Sequence, residues 1–146
     1  MENDFDPLLL KYQLCFPLYA CARETIKLYK PHLDKLDLTY TQYIAMMVLW
    51  EKKAVTVKEL GAELYLDSGT LTPLLKKMEA KGLLTRRRST DDERSLIVSL
   101  SPEGEALRER ALQVPQEMMK CFWMEPEERK VLYKLLYKLL KSKPKD

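Results

Sequence analysis

Apolar positions recur three and four residues apart over most of the chain, which predicts helices, and alternate with polar ones in one stretch only. Residues 8–30, rich in Leu, Tyr and Cys, read as a first helix whose pattern breaks at Pro17. The stretch on to Leu38, around Pro31, reads as its continuation or as a loop. A second helix starts at Thr39, because Thr39 and Gln42 form a capping-box pair ahead of the apolar run Tyr43 to Trp50. Thr56 and Glu59 repeat that signature and open a short helix through Leu64, followed by the turn Tyr65-Leu66-Asp67.

The segment DSGTLTPLLKKMEAKG predicts the next helix. Asp67 or Ser68 can cap it, Leu71, Leu74, Leu75 and Met78 form one apolar stripe, and Gly82 can stop it. Its other face carries Gly69, Thr70, Pro73, Lys76 and Lys77. A short helix, a tight turn and a second helix with a small, hydroxylated, basic outer face is the plan of a helix-turn-helix. LLTRRRS and SLIVSL then read as two strands joined by the polar tip TDDER, a hairpin that would serve as a wing. Ser101-Pro102-Glu103 opens a further helix that runs towards Cys121, and MEPEERKVLYKLLYKLLKSK is a last amphipathic helix with Pro126 in its first turn.

The fold class that follows is mainly α with a small β-hairpin wing: a winged helix-turn-helix flanked by N- and C-terminal dimerisation helices. A single domain over 1–146 is expected, with 39–101 as the DNA-binding region and 1–38 and 102–146 as the dimerisation helices. The flanking helices hold more apolar residues than one small head can cover, so an intertwined two-fold homodimer is expected, with two recognition helices about one DNA turn apart.

Composition narrows the chemistry. With 46% hydrophobic and 32% charged residues and four glycines, the chain fits a helical, soluble protein rather than a disordered or sandwich-like one. The start MENDFD lacks a secretory pattern and no run is long and apolar enough to span a bilayer, so a cytoplasmic protein with no membrane partner is expected. Three cysteines at 15, 21 and 121 argue against a disulfide framework, and a single histidine, His32, argues against a structural zinc site. No metal or other cofactor is expected, and any special cysteine is a candidate for redox chemistry.

The net charge of +3 says little by itself, but its location does. From Lys76 to Arg94 seven basic residues face four acidic ones, a surplus of three that equals the charge of the whole chain. Lys76, Lys77 and Arg86 can neutralise phosphates, while Ser68, Thr70 and Thr72 can hydrogen-bond to phosphates or base edges. Arg94 near the tip can enter a minor groove with the Asp92 carboxylate holding its guanidinium. A solvated helix face and an ordinary hairpin turn would leave the same pattern.

The segment LDSGTLTPLLKKMEAKGLLTRRRSTDDERSLIVSL, with Asp92 and Arg94 as an Asp-x-Arg wing signature, resembles the recognition helix and wing of the MarR family of regulators. The resemblance implies a homodimer whose recognition helices enter consecutive major grooves of an inverted repeat in double-stranded DNA, with the wings in adjacent minor grooves.

Cys15 and Tyr19 stand four residues apart, and Tyr29 lies fourteen beyond Cys15, about 40° short of whole turns, so a continuous helix would put all three on one stripe. Peroxide chemistry needs a thiolate, which hydroxyl donors or a helix N-terminus favour. A buried, inert Cys15 among core tyrosines fits the same spacing. QLCFPLYA and YKPHLDKLDLTYTQY resemble the organic-hydroperoxide-responsive, OhrR-type branch of the family. That resemblance implies a repressor, not an enzyme, in which Cys15 reacts with an organic hydroperoxide and Tyr19, Tyr29 and Tyr40 hydrogen-bond to it across the dimer.

It also implies Cys121, placed where a two-cysteine subgroup keeps its resolving thiol, as a partner from the other subunit; a Cys121 buried beside Phe122 and Trp123 fits the same position, and a low-molecular-weight thiol would then trap oxidised Cys15. Cys21, about 9 Å along the helix and some 240° around, is out of reach of Cys15 and is read as packing. Pro17 departs from the resembling pattern, and a bend beside Cys15 is expected from it. Two other functions use the same residues: a ligand-responsive regulator with structural cysteines, and a thiol peroxidase, which would have no use for the basic helix and wing.

Overall fold

A computed structural model describes residues 6–142. The MENDFD start before Asp6, and Lys143 at the end of the predicted last helix, lie outside the described residues. Helix α1 spans Cys15–Asp34, preceded by a 3₁₀ turn at Leu10–Tyr12, so the first helix starts seven residues later than its apolar pattern predicts. Pro17 is its third residue, where a missing N–H costs no intrahelical bond, so the proline sits at the start of a helix rather than bending one. At the other end α1 continues through Pro31, which settles the continuation-or-loop alternative and puts Cys15, Tyr19 and Tyr29 on one unbroken helix.

Helix α2 (Tyr40–Lys52) begins at the predicted capping box: Thr39 Oγ1 accepts the Gln42 N–H and Gln42 Oε1 accepts the Thr39 N–H. A strand that sequence reading missed, β1 (Ala54–Thr56), comes next, and Thr56 caps α3 (Val57–Leu64) in a second capping box with Glu59. Helix α3 ends at Tyr65 in the left-handed region, φ 55°, where the turn into α4 (Ser68–Ala80) brings the Leu66 carbonyl over Gly61. A Cβ on Gly61 would stand 2.6 Å from that oxygen, so the tight turn requires glycine there.

Asp67 rather than Ser68 caps α4, accepting the Thr70 N–H at 2.7 Å. The helix stops as predicted at Gly82, φ 78°, with Gly82 N–H donating to the Glu79 carbonyl and Leu83 N–H to that of Met78, the paired bonds of a Schellman motif. Strands β2 (Leu84–Arg88) and β3 (Leu96–Leu100) form the wing hairpin. The sheet has three antiparallel strands in the order β1-β3-β2, with Val55 opposite Val98 and Arg86 opposite Val98 on the other side.

The expected helix after Ser101 is two helices, α5 (Pro102–Ala111) and α6 (Gln113–Cys121). Pro115 explains the break, since it has no N–H to offer the Ala111 carbonyl and its ring crowds that turn. The last helix, α7, spans Pro126–Lys141 and has no buried residue. The core joins α1–α2 and the reading head through fully buried Leu33, Met46, Leu49, Leu60, Leu71, Leu75, Met78, Leu84 and Val98, and α5–α6 join it through Leu107, Ala111, Val114 and Met118. Among the described residues no helix is long and apolar enough to cross a membrane.

Candidate nucleic-acid interface and candidate sensor thiol

The apolar stripe of α4 is buried at Leu71, Leu75 and Met78 and half-buried at Leu74, which turns Ser68, Thr70, Thr72, Lys76 and Lys77 outward together. Short side chains at the N-terminal end of this face let a nucleic-acid backbone approach closely, and lysines follow one turn later. The Asp67 carboxyl is held below its ordinary value, first by the Thr70 backbone N–H and then by the Thr70 hydroxyl. Thr72 Oγ1 donates to the Ser68 carbonyl at 2.8 Å, leaving its lone pairs outward.

The basic residues of the head divide into two groups. Lys76, Lys77, Arg87 and Arg94 have no ion-pair partner among the described residues, and all four are exposed. Arg86 is engaged: its guanidinium donates to Glu79 Oε1 at 3.0 and 3.3 Å, and its backbone N–H donates to Glu79 Oε2 at 2.8 Å. These bonds, led by the guanidinium, hold the Glu79 carboxyl below its ordinary value and tie strand β2 to the recognition helix. Lys81 is also engaged, at the α1–α2 turn, and so is Arg88, whose Nη1 donates to the Glu93 carbonyl at 3.0 Å. The sequence count of seven cations therefore overstates what faces outward.

The wing tip corrects a second expectation. Asp92 does not hold the Arg94 guanidinium; its Oδ1 accepts the Arg94 backbone N–H at 3.0 Å and its Oδ2 the Ser95 hydroxyl at 3.1 Å. The carboxylate shapes the turn that presents Arg94, while the guanidinium is left free of protein partners among the described residues. Between α3, α4 and the wing lies an open groove of about 850 Å³ whose lining includes Lys58, Tyr65, Ser68, Thr72, Arg86 and Arg94. Lys58 belongs to this surface and was missed; its signal was a cation two residues after the Thr56 cap.

Cys15 is exposed, as the first residue of α1. Tyr19, one turn on, is exposed and stacks under Arg23, the guanidinium carbon 5.3 Å from the ring centre. Tyr29 and Tyr40 lie together, ring centres 4.9 Å apart, beside Tyr43. They stand about 21 Å along α1 from Cys15, at 1.5 Å per residue, so the structure does not bring them to the thiol within one chain. Burial pushes Tyr29 and Tyr40 above their ordinary values, and Tyr43 is raised to about 12 by burial and then by its two tyrosine neighbours.

Cys121 ends α6, half-buried, its Sγ 3.6 Å from the Glu117 carbonyl. Trp123 is 95% and Phe122 41% exposed, so neither buries it as a core thiol would be. Helix α6 packs along α1: Arg110 at the end of α5 reaches the Lys35 carbonyl, and Gln113, Val114 and Glu117 of α6 line one hollow with His32, Lys35 and Leu36. One more turn leaves Cys121 about 20 Å short of Cys15, far beyond the roughly 7 Å between Cα atoms that a disulfide spans. A bond between these residues requires two chains. Cys21 is exposed in the single chain, so it is not part of the protomer's own core. Among the described residues there is no cluster of His, Cys, Asp or Glu that could hold a metal ion.

The family model for the transcriptional regulators SarA/Rot matches residues 27–110, the span from the end of α1 to the end of α5. The chain is 51% identical over 142 residues, 97% of both proteins, to the organic hydroperoxide resistance transcriptional regulator of Bacillus subtilis. The chain belongs to the SarA/Rot family of winged-helix regulators. It is a DNA-binding transcriptional regulator, and its relatives are regulators rather than enzymes. Reduced AbfR of Staphylococcus epidermidis bound to DNA superposes with a TM-score of 0.74 at 34% identity, covering 90% of this chain and 92% of that one. The disulfide-formed AbfR superposes less well, with a TM-score of 0.65 at the same identity and coverage.

Proposed function

We propose that this regulator is a homodimeric, cytoplasmic repressor that binds an inverted-repeat operator and releases it when an organic hydroperoxide oxidises Cys15. The observation that carries the reading is the placing of Cys15: an exposed thiol on the first residue of a twenty-residue helix whose far end is packed against the reading head. The similarity to a hydroperoxide resistance regulator and to AbfR in reduced and disulfide forms supports it. Ser68, Thr70, Thr72, Lys76 and Lys77 would meet the major groove and Arg94 the minor groove, with Asp92 and the Arg86–Glu79 pair holding wing and helix in shape.

The thiolate attacks the terminal peroxide oxygen, the O–O bond breaks, the alkoxide leaves as alcohol after taking a proton, and Cys15 becomes a sulfenic acid. A second thiol then condenses with it and expels water. Cys121 of the partner subunit, or a low-molecular-weight thiol, supplies that sulfur. Tyr19 of the same chain and Tyr29 and Tyr40 of the partner would donate hydrogen bonds at the thiol. The bulk or tether at the head of α1 favours a dimer whose two heads no longer fit the operator.

Fluorescence anisotropy on DNA from upstream of its own gene tests this, before and after one equivalent of cumene hydroperoxide. Wild type should lose at least about tenfold in affinity, about 1.4 kcal/mol, and Cys15→Ser should lose none. If Cys121→Ser is released only when a small thiol is present, Cys121 resolves the sulfenic acid. Wild type that stays bound after its thiol is shown to be oxidised would overturn peroxide sensing. Release of Cys15→Ser by a phenolic ligand would instead favour a ligand-responsive regulator whose cysteines are structural.

A further inference from the structure

The last turn of α1 leads into Lys35–Leu38, where Asp37 takes the left-handed conformation, φ 52°, and turns its carbonyl towards the end of the recognition helix. Lys81, the residue on which α4 ends, meets it there. Its ammonium donates to the Asp37 carbonyl and to Gln42 Oε1 at 3.3 Å, and lies 3.4 Å from the Asp37 carboxylate. Gln42 is 3% exposed, and the same Oε1 accepts the Thr39 N–H that opens α2. One side chain at the foot of α4 thus ties together the end of α1, the start of α2 and the recognition helix.

We infer that Lys81 is a positioning residue that couples the α1–α2 turn to the recognition helix, so that a displacement of α1 and a displacement of α4 are one event. As a route from Cys15 to DNA the inference rests on the sensing proposed above; as a coupling between turn and helix it stands on the geometry alone. The tie is not needed to hold the turn in place, because Arg110 of α5 separately donates to the Lys35 carbonyl at 2.6 Å. Its exposed carboxylate partner, Asp37 at 89%, is of the kind that contributes little to stability. What Lys81 adds is direction: α1 is a rod of about 30 Å at 1.5 Å per residue, and beside the apolar packing of Leu33, Leu36 and Leu38 its end bears on α4 through hydrogen bonds to a fixed carbonyl.

Lys81→Met keeps the length and packing of the stem and removes the donor, while Lys81→Arg keeps a donor. Amide exchange of Leu36, Asp37 and Leu38, whose N–H groups are bonded within the turn, is followed in the reduced full-length protein with and without operator DNA. Operator should slow exchange of these amides in wild type and Lys81→Arg, and leave them unchanged in Lys81→Met that still binds DNA. Equal protection in Lys81→Met, or no protection in wild type, would overturn the coupling.

A second readout addresses the sensor. With Cys15 oxidised at the wild-type rate, as followed by mass, peroxide should release Lys81→Met from DNA at least about fivefold less effectively than wild type, the low end of typical allosteric coupling. Release equal to that of wild type overturns the route. If wild type itself is not released, the sensing proposal fails while the exchange experiment still decides the coupling.

Discussion

At the residue scale, charge has meaning only with its partner. Arg86 and Asp92 look from spacing like parts of a DNA contact, yet one is bonded to Glu79 and the other to the backbone of Arg94 and the hydroxyl of Ser95. Nothing in a one-dimensional pattern announces that residue 79 will lie beside residue 86, because that meeting depends on the Gly82 turn. The tyrosine cluster carries a testable consequence of the same kind. Burial favours the neutral phenols of Tyr29, Tyr40 and Tyr43, raising Tyr43 from 10.0 to about 12. A folded value above the unfolded one means stabilisation that is complete below pH 10 and lost as pH rises towards about 12. Ultraviolet titration of tyrosinate should therefore show a late class absent in urea, and Tyr43→Phe should shrink it. Titration of all eight tyrosines together near their ordinary value would refute this.

At the element scale, the decisive device is the close turn between α3 and α4. Gly61→Ala would push a methyl carbon to 2.6 Å from the Leu66 carbonyl and 3.3 Å from Leu71 Cδ1, and neither backbone nor core leucine yields cheaply. A loss of about 1–3 kcal/mol in urea unfolding is expected, typical of overpacking, together with weaker DNA binding as α4 is levered away. Unchanged stability would mean that the turn relaxes freely. Elements like this one were legible because their signals are local: two capping boxes, Asp67, the Leu71–Met78 stripe and Gly82 each act within a few residues of themselves. Strand β1 was not, since Ala54–Thr56 is too short to show alternation and exists through pairing with Ile97–Ser99 forty residues on. The break between α5 and α6 was visible at Pro115 but looked like a continuing helix, because apolar spacing survives the kink. Of the site, the outward face of α4 was readable, whereas the coupling at Lys81 depends on a left-handed residue in another helix's end.

At the scale of the whole molecule, an apolar face of the protomer is left uncovered by the described residues. Helix α7 buries nothing, leaving Val131, Leu132, Leu135, Leu136 and Leu139 between 37% and 58% exposed, while Leu8 and Leu14 ahead of α1 stand at 89% and 72%. Isolated apolar residues on a surface need no explanation, but a contiguous helical face of this size does. A second copy is the occupant that the proposed sensing also calls for, since within one chain the Tyr29–Tyr40 pair lies far from Cys15 along α1 and Cys121 ends a different helix. Leu132 and Leu136 lie one turn apart on that face. Replacing both with Glu should convert a dimer to a monomer in sedimentation, because an obligate interface of about 2,000 Å² or more does not tolerate two desolvated carboxylates. The winged head should keep its fold, since its core residues Leu60, Leu71, Met78 and Val98 belong to other elements. Affinity for a full operator should then fall to that for a half-site, the second head no longer being held at high effective concentration. A dimer that survives the double substitution would mean that α7 covers something else, and the route from Cys15 to a partner's Cys121 would lose its frame.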